Sequence, residues 1–122
     1  MWCNGVIYTE VACKCMKFIF AFFTILFFAA PVWAVDITMG SGFNLIFDPN
    51  EVTIDAGDTI KFINGELPPH NMMVEGHPEL SHGDLAFSVG DSFEVTFPDA
   101  GDYNFQCDPH AGAGMKGTIH VN

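Results

Sequence analysis

Basic residues are scarce in this sequence, above all after residue 34. The 122-residue chain has four lysines and arginines against fifteen aspartates and glutamates. Beyond residue 34 only Lys61 and Lys116 remain, against fourteen carboxylates, so this part carries a formal charge of −12. Such a charge disfavours nucleic acid and anionic membrane surfaces as partners. It favours attraction towards a basic docking surface.

Cysteine and tryptophan are also nearly missing from the same part. Cys107 is its one thiol, because Cys3, Cys13 and Cys15 all precede residue 34, and so do both tryptophans. An internal disulfide is therefore excluded there. A single thiol of this kind can serve in an intermolecular disulfide, as a reactive thiol or in a metal site.

The first 34 residues have the pattern of an export signal. Lys14 and Lys17 precede an apolar run of 13 residues, Phe18–Ala30, and a small residue, Ala34, ends the segment. A basic start, a short apolar run and a small-residue end are typical of a secretory signal peptide. A membrane span needs about 20 apolar residues, so a retained membrane anchor is the less favoured alternative.

The pattern therefore predicts a signal peptide at residues 1–34. Met16-Lys17 leads directly into the apolar run, which favours Met16 as the initiator. The remaining 88 residues, Val35–Asn122, are long enough for one small domain with one core. An export signal without a Ser/Arg-rich transit segment indicates a prokaryotic type of export.

No segment of this domain has a helical apolar period. Short runs of β-branched and aromatic residues alternate with turn residues, which predicts an all-β sandwich. The clearest strands are Ser92–Phe97, Tyr103–Cys107 and Gly117–Val121. The polar stretch Glu75–Ala86 is interpreted as a loop, with one helical turn around Leu80–Asp84.

The most informative motif is Cys107-x2-His110-x4-Met115. Alternation along Tyr103–Cys107 turns the cysteine inward at the end of its strand, and the small loop Ala111–Gly114 can wrap tightly. Thiolate, imidazole and a more distant thioether belong to the ligand set of a blue-copper site. That set requires one more imidazole.

His70 is the best candidate for the second imidazole. It follows Pro68-Pro69 and starts a strand-like run, so proline restricts the backbone before a side chain that must stay in place. Taken alone, a histidine here would more often be a partly buried residue bonded to backbone. The motif at Cys107 favours the ligand interpretation.

Three segments together resemble the cupredoxins, and among them the plastocyanins of cyanobacterial type: Lys61–Asn64, Pro68–Asn71 and Cys107–Gly117. Pseudoazurins and halocyanins share the loop spacing. The resemblance implies an eight-stranded Greek-key sandwich that binds one copper ion. The strong ligands would be His70, Cys107 and His110, and the weak axial ligand would be Met115.

The resemblance also implies how such a protein works. Asn71 would tie the two ligand segments together. The exposed edge of His110 would be the electron port, ringed by docking residues Pro68, Ala111, Gly112 and Ala113. A plastocyanin-like monomer would carry one electron from cytochrome f to photosystem I, in the thylakoid lumen or the periplasm, at most peripheral to the membrane.

Other functions stay open beside this one. The chain could store or deliver copper, or it could be another cupredoxin with a different redox partner. An enzyme is disfavoured, because multicopper oxidases and copper nitrite reductases need further histidines beside the ligand cysteine, where this chain has Gln106 and Asp108. A sandwich that binds no metal is the remaining alternative.

The chain departs from the plastocyanin pattern at three places. Gln106 stands where a tyrosine usually precedes the cysteine, so an electron route through that tyrosine is in doubt. Ala111 stands where cyanobacterial members often carry arginine, so docking can differ. The segment Met72–Cys107 is shorter than usual around Glu75–Ala86.

Several remaining side chains could suggest additional sites. His77 and His82 lie five residues apart and could form a second metal site, but a solvated loop is the favoured interpretation. Met72 and Met73 are interpreted as the core and rim faces of one strand rather than as a copper-handling patch. His120 alternates outward and is predicted to lie at the surface.

Overall fold

A computed structural model of the chain describes residues 33–122, which form one compact unit. The predicted signal peptide, residues 1–34, falls almost wholly outside the described residues. The described part contains nine strands: β1 (Trp33–Ser41), β2 (Asn44–Asp48), β3 (Glu51–Ile54), β4 (Thr59–Asn64), β5 (His70–Val74), β6 (His82–Ala86), β7 (Ser92–Thr96), β8 (Gly101–Gln106) and β9 (Lys116–Val121).

These strands form two sheets, in the orders β2-β1-β4-β7 and β3-β9-β8-β5-β6. The prediction of an all-β sandwich is confirmed. Within residues 33–122 there is no helix of the length and apolar character that a membrane crossing requires.

Alternating residues of both sheets build the core between them. β4 buries Ile60 and Phe62, and β8 buries Tyr103 and Phe105, as the period-2 pattern predicts. The Phe62 ring stacks on Phe93 at 5.3 Å and meets the edge of Phe105 at 5.9 Å. Since Phe62 and Phe105 belong to different sheets, these rings hold the two layers together, and burial of each stabilises the fold by about 1.5–3 kcal/mol.

Two of the strand pairs are parallel and join distant parts of the chain. β1 runs parallel to β4, with Ile37 opposite Phe62, and β3 runs parallel to β9, with Val52 opposite Ile119. β9 also pairs antiparallel with β8. The last strand therefore lies inside the five-stranded sheet.

The stretch Glu75–Ala86 is more ordered than its sequence indicates. A 3-10 turn occupies Pro78–Leu80, before the expected position at Leu80–Asp84, and β6 follows at His82–Ala86. β6 pairs antiparallel with β5 at the sheet edge, so the described residues contain nine strands where the resemblance implies eight. The loop prediction is wrong here because an exposed edge strand shows no alternation of apolar and polar residues.

Candidate metal centre

Strand ends bring the predicted ligand side chains to one end of the sandwich. His70 is the first residue of β5, and Cys107 directly follows β8, which pairs with β5. A 3-10 segment, Asp108–Ala113, then carries His110. Gly114 ends this segment with a left-handed φ of 88°, and Met115 leads into β9.

The three donor atoms of His70, Cys107 and His110 lie within 4.8 Å of one another. Cys107 Sγ is 3.5 Å from His110 Nδ1 and 3.8 Å from His70 Nδ1. For zinc, a first-row ion like copper, bonds of about 2.0 Å to nitrogen and about 2.3 Å to thiolate, at about 120° to each other, place the nitrogen and the sulfur about 3.7 Å apart. The three side chains therefore fit around a single metal ion of this size.

Backbone hydrogen bonds close the loop that follows the cysteine. The His110 N–H donates to the Cys107 carbonyl at 3.1 Å, and the Cys107 N–H donates to the Met115 carbonyl at 3.1 Å. The Met115 N–H in turn donates to the His110 carbonyl at 3.3 Å. Met115 is fully buried. The loop thus fixes cysteine, histidine and methionine relative to one another through its own backbone.

A backbone carbonyl orients the buried ring of His70. Its Nε2 lies 2.8 Å from the Glu66 carbonyl oxygen. Because a carbonyl can only accept, Nε2 carries the proton and donates it. In the neutral ring Nδ1 is then the nitrogen without a proton, and it faces the Cys107 sulfur. A partner of this kind on the far ring nitrogen is usual for metal-binding histidines.

Asn71 links the two segments that carry the candidate ligands. Its Oδ1 accepts a hydrogen bond of 2.9 Å from the Asp108 N–H, directly after Cys107. Its Nδ2 donates to the Gly83 carbonyl at 3.2 Å. A buried asparagine therefore holds β5, β6 and the ligand loop in one arrangement.

Burial changes the proton affinities of the two groups in the loop. Desolvation raises the pKa of the Cys107 thiol, against hydrogen bonds from the Asn71 and His110 backbone that lower it. Desolvation, followed by the nearby His70, lowers the pKa of His110. At neutral pH the metal-free protein therefore holds a protonated thiol beside a neutral imidazole, and a metal ion that binds must displace the thiol proton.

The remaining residues singled out in the sequence lie around this cluster or away from it. Pro68, Gly112 and Ala113 are exposed, and Ala111 and His110 are half-buried. Two exposed apolar residues that the sequence pattern does not single out, Leu67 and Phe43, are linked to this end of the domain. Leu67 directly precedes Pro68, and the Phe43 backbone N–H donates a hydrogen bond to the Glu66 carboxylate.

His77 and His82 do not form a metal-binding pair with each other, and the ring of each lies beside an aromatic ring. His77 bonds Glu79 at 2.9 Å, with its ring 5.0 Å from that of Tyr103, whereas His82 stacks on Phe93 at 3.9 Å. Among residues 33–122, His70, Cys107 and His110 are the one group of three His, Cys, Asp or Glu side chains whose possible ligand atoms all lie within 4.8 Å of one another. Met72 is buried and Met73 half-buried, as alternate faces of β5.

His120 lies at the surface, as predicted, and has two acidic neighbours. Its Nδ1 is 2.7 Å from the Asp102 carboxylate on β8 and its Nε2 is 2.9 Å from the Glu51 carboxylate on β3. These hydrogen bonds, with Asp102 first, raise the pKa of His120.

Comparison with known proteins gives a consistent family assignment. The sequence model of the copper-binding proteins of the plastocyanin/azurin family matches residues 33–122. Plastocyanin from Prochlorothrix hollandica is 40% identical over 107 residues, covering 80% of this chain and 82% of that protein. Plastocyanin from Scenedesmus fuscus is 39% identical over 97 residues, covering 70% of this chain and 99% of that protein.

A solved structure agrees with these sequence matches. Oxidised plastocyanin from Dryopteris crassirhizoma superposes with a TM-score of 0.64 at 29% sequence identity, covering 71% of this chain and 99% of that one. The strand order, the cluster of two histidines and a cysteine, and the matches over the whole described domain lead to one conclusion. This chain is a member of the plastocyanin/azurin family of copper-binding proteins.

Proposed function

We propose that the chain is a type 1 copper protein that carries single electrons between redox partners. The strong ligands are His70, Cys107 and His110, and Met115 is the weak axial ligand. The observation that carries this proposal is the convergence of three buried or half-buried donor atoms, from two distant segments, to within 4.8 Å. Copper, when bound, supplies a one-electron couple between its two oxidation states.

Backbone and side-chain groups around the centre keep the ligands in place in the absence of the ion. His70, Cys107 and Met115 have no exposed surface, so water is excluded from three of the four ligands. The Glu66 carbonyl and the Asn71 amide fix the ring and the loop. A site held in this way changes little between oxidation states, which is the property that fast electron transfer needs.

The proposed electron port is His110, the half-buried histidine. Its rim consists of Pro68, Ala111, Gly112 and Ala113, all uncharged. Exposed Leu67 beside Pro68 enlarges the apolar surface. An apolar surface of this kind suits a small interface that forms and separates quickly.

The net charge of the domain indicates what kind of partner that interface attracts. Val35–Asn122 carries fourteen carboxylates and a net charge of −12, which attracts a basic partner over distance and repels nucleic acid. The similarity to plastocyanins supports cytochrome f as the electron donor and photosystem I as the acceptor. We infer a monomer, peripheral to the membrane at most, that works in the thylakoid lumen or the periplasm.

Export would require removal of the leader. We infer that residues 1–34 contain the signal peptide, which ends at Ala34, and that Val35–Asn122 is the mature copper domain. Val35 pairs with Ile60 of β4, so strand β1 keeps its register from Val35 to Met39 after such a cut. N-terminal sequencing of the exported protein tests the position.

Copper storage or delivery and a cupredoxin with another redox partner are the competing functions. A delivery site benefits from exposed, exchangeable ligands, whereas three of these four ligands are buried and the ligand loop is closed by its own backbone. Catalysis is disfavoured, since Gln106 and Asp108 flank Cys107 where further copper-binding histidines would be needed.

Copper(II) added to the exported protein tests the proposal directly. We expect an intense blue absorption from the thiolate–copper bond, which a one-electron reductant bleaches and an oxidant restores. Cys107→Ser should abolish the colour, and His82→Ala, a histidine that stacks on Phe93 instead, should keep it. A colourless or irreversibly reduced adduct of the unaltered protein would favour storage and contradict the electron-carrier function.

A further inference from the structure

We propose that Gly40 is a positioning residue of the metal centre, required because a side chain there would occupy the space of the Glu66 carbonyl and the His70 ring. The inference deepens the proposed function and rests on it, since it takes His70 as a ligand. Gly40 lies in β1, far in sequence from the ligand motifs.

The space beside Gly40 is fully occupied. A Cβ built on this residue would overlap the Glu66 carbonyl oxygen and would lie 2.7 Å from His70 Nε2. Real Cβ atoms essentially never lie within 3.0 Å of another heavy atom. The two atoms that would be crowded are the donor and the acceptor of the hydrogen bond that orients His70.

The backbone around this contact has little freedom to move away. The Gly65 N–H donates to the Met39 carbonyl at 2.8 Å, and the Glu66 N–H donates to the Gly40 carbonyl at 2.9 Å. A Cβ on Gly65 would in turn lie 2.8 Å from the Thr38 side chain. These two backbone hydrogen bonds therefore hold β1 against the segment before His70, with no side chain between the two backbones.

A methyl group at residue 40 therefore has two ways to be accommodated, and both change His70. The Glu66 carbonyl can rotate away, which breaks its hydrogen bond to Nε2, or the ring can move, which changes the distance from Nδ1 to the Cys107 sulfur. In either case the ring loses the fixed tautomer and direction that a ligand nitrogen needs.

The test compares Gly40→Ala with Gly76→Ala. Both glycines have a left-handed backbone, with φ of 82° and 73°, so an alanine meets the same kind of conformational penalty at each. A Cβ on Gly76 has no neighbour within 4 Å. The difference between the two variants therefore isolates the crowding at the metal centre from the backbone penalty.

Nitrogen-15 NMR of the metal-free proteins reads the His70 tautomer directly, without any copper. We expect the Nε2–H form in the unaltered protein and in Gly76→Ala, and loss or exchange averaging of that signal in Gly40→Ala. Copper(II) affinity should fall about ten- to hundredfold in Gly40→Ala, as for other changes to the support of a metal ligand, and stay within about twofold in Gly76→Ala.

A Gly40→Ala protein with the unaltered tautomer and affinity would overturn the proposal. If Gly40→Ala does not fold, the unaltered protein still decides: a slowly exchanging His70 Nε2–H supports the contact with Glu66, and an Nδ1–H tautomer overturns it. Because these readouts use metal-free protein, they are independent of whether the copper complex is blue and redox-active, so failure of the proposed function is recognised separately.

Discussion

Replacement of Asn71 by alanine should weaken the whole domain as well as the metal centre. The change removes the acceptor of the Asp108 N–H, 2.9 Å away, and the donor to the Gly83 carbonyl, 3.2 Å away. Each hydrogen bond contributes about 0.5–1.5 kcal/mol, so the free energy of unfolding should fall by about 1–3 kcal/mol. A loss of about 2 kcal/mol corresponds to a Tm lower by roughly 8–16 °C in a domain of this size.

Thermal and urea unfolding of the metal-free protein, followed by far-UV circular dichroism, measures the effect. Asn104→Ala is the matched control, because Asn104 is exposed and its side chain accepts a hydrogen bond from the Thr118 hydroxyl at 3.0 Å. We expect this control to stay within about 0.5 kcal/mol of the unaltered protein. The Asp108 amide should also exchange its hydrogen faster in Asn71→Ala. Equal losses in the two variants, with unchanged exchange at Asp108, would refute the role given to Asn71.

Two further predictions concern protons. Hydrogen bonds to Asp102 and Glu51 raise the pKa of His120. The stability that these bonds give the folded protein is therefore fully present below the unfolded-state pKa of about 6.5. It is lost as the pH rises through the higher folded-state pKa. In urea titrations, His120→Gln should therefore lose more stability at about pH 5.5 than at about pH 8.5, and the reverse order would contradict the argument. Metal uptake should release about one proton per ion at pH 7, measured with a pH indicator, because burial keeps the Cys107 thiol protonated. The affinity should fall about tenfold from pH 7 to pH 6; a steeper fall would mean that a second ligand, such as His110 against its lowered pKa, also takes up a proton.

The strands that bury a regular face are those that the sequence predicts well. Ser92–Phe97 and Tyr103–Cys107 alternate between core and solvent because each has one buried side, and period 2 is then visible in the residues themselves. β6 escaped prediction for the opposite reason. It lies at the sheet edge, holds Gly83 and Asp84, and buries no side chain fully, so its existence depends on pairing with β5.

In the metal centre, too, a local pattern predicts some parts, and other parts depend on contacts between distant segments. Three candidate ligands lie within nine residues, and their spacing alone indicates a common loop. His70 is predicted as the partner of that loop from its place after Pro68-Pro69 and the ligand set that the motif requires, whereas the role of Asn71 follows from the family resemblance. The Gly40–Glu66–His70 contact could not be predicted, because it joins β1 to the segment before β5 through space, and no local pattern records how close two backbones come.

The position of the last strand has a consequence for how the protein matures. β9 lies between β3 and β8, and Glu51 finds its partner Thr118 only after 66 intervening residues have been made. Contacts of such long range form slowly, since the connecting chain must lose much of its freedom first. Until residue 121 is available, β3 and β8 each lack a neighbour, and β8 leads directly into Cys107. A nascent chain is therefore kept open until β9 has been made, and its thiol reaches the shielded interior only when that strand is inserted.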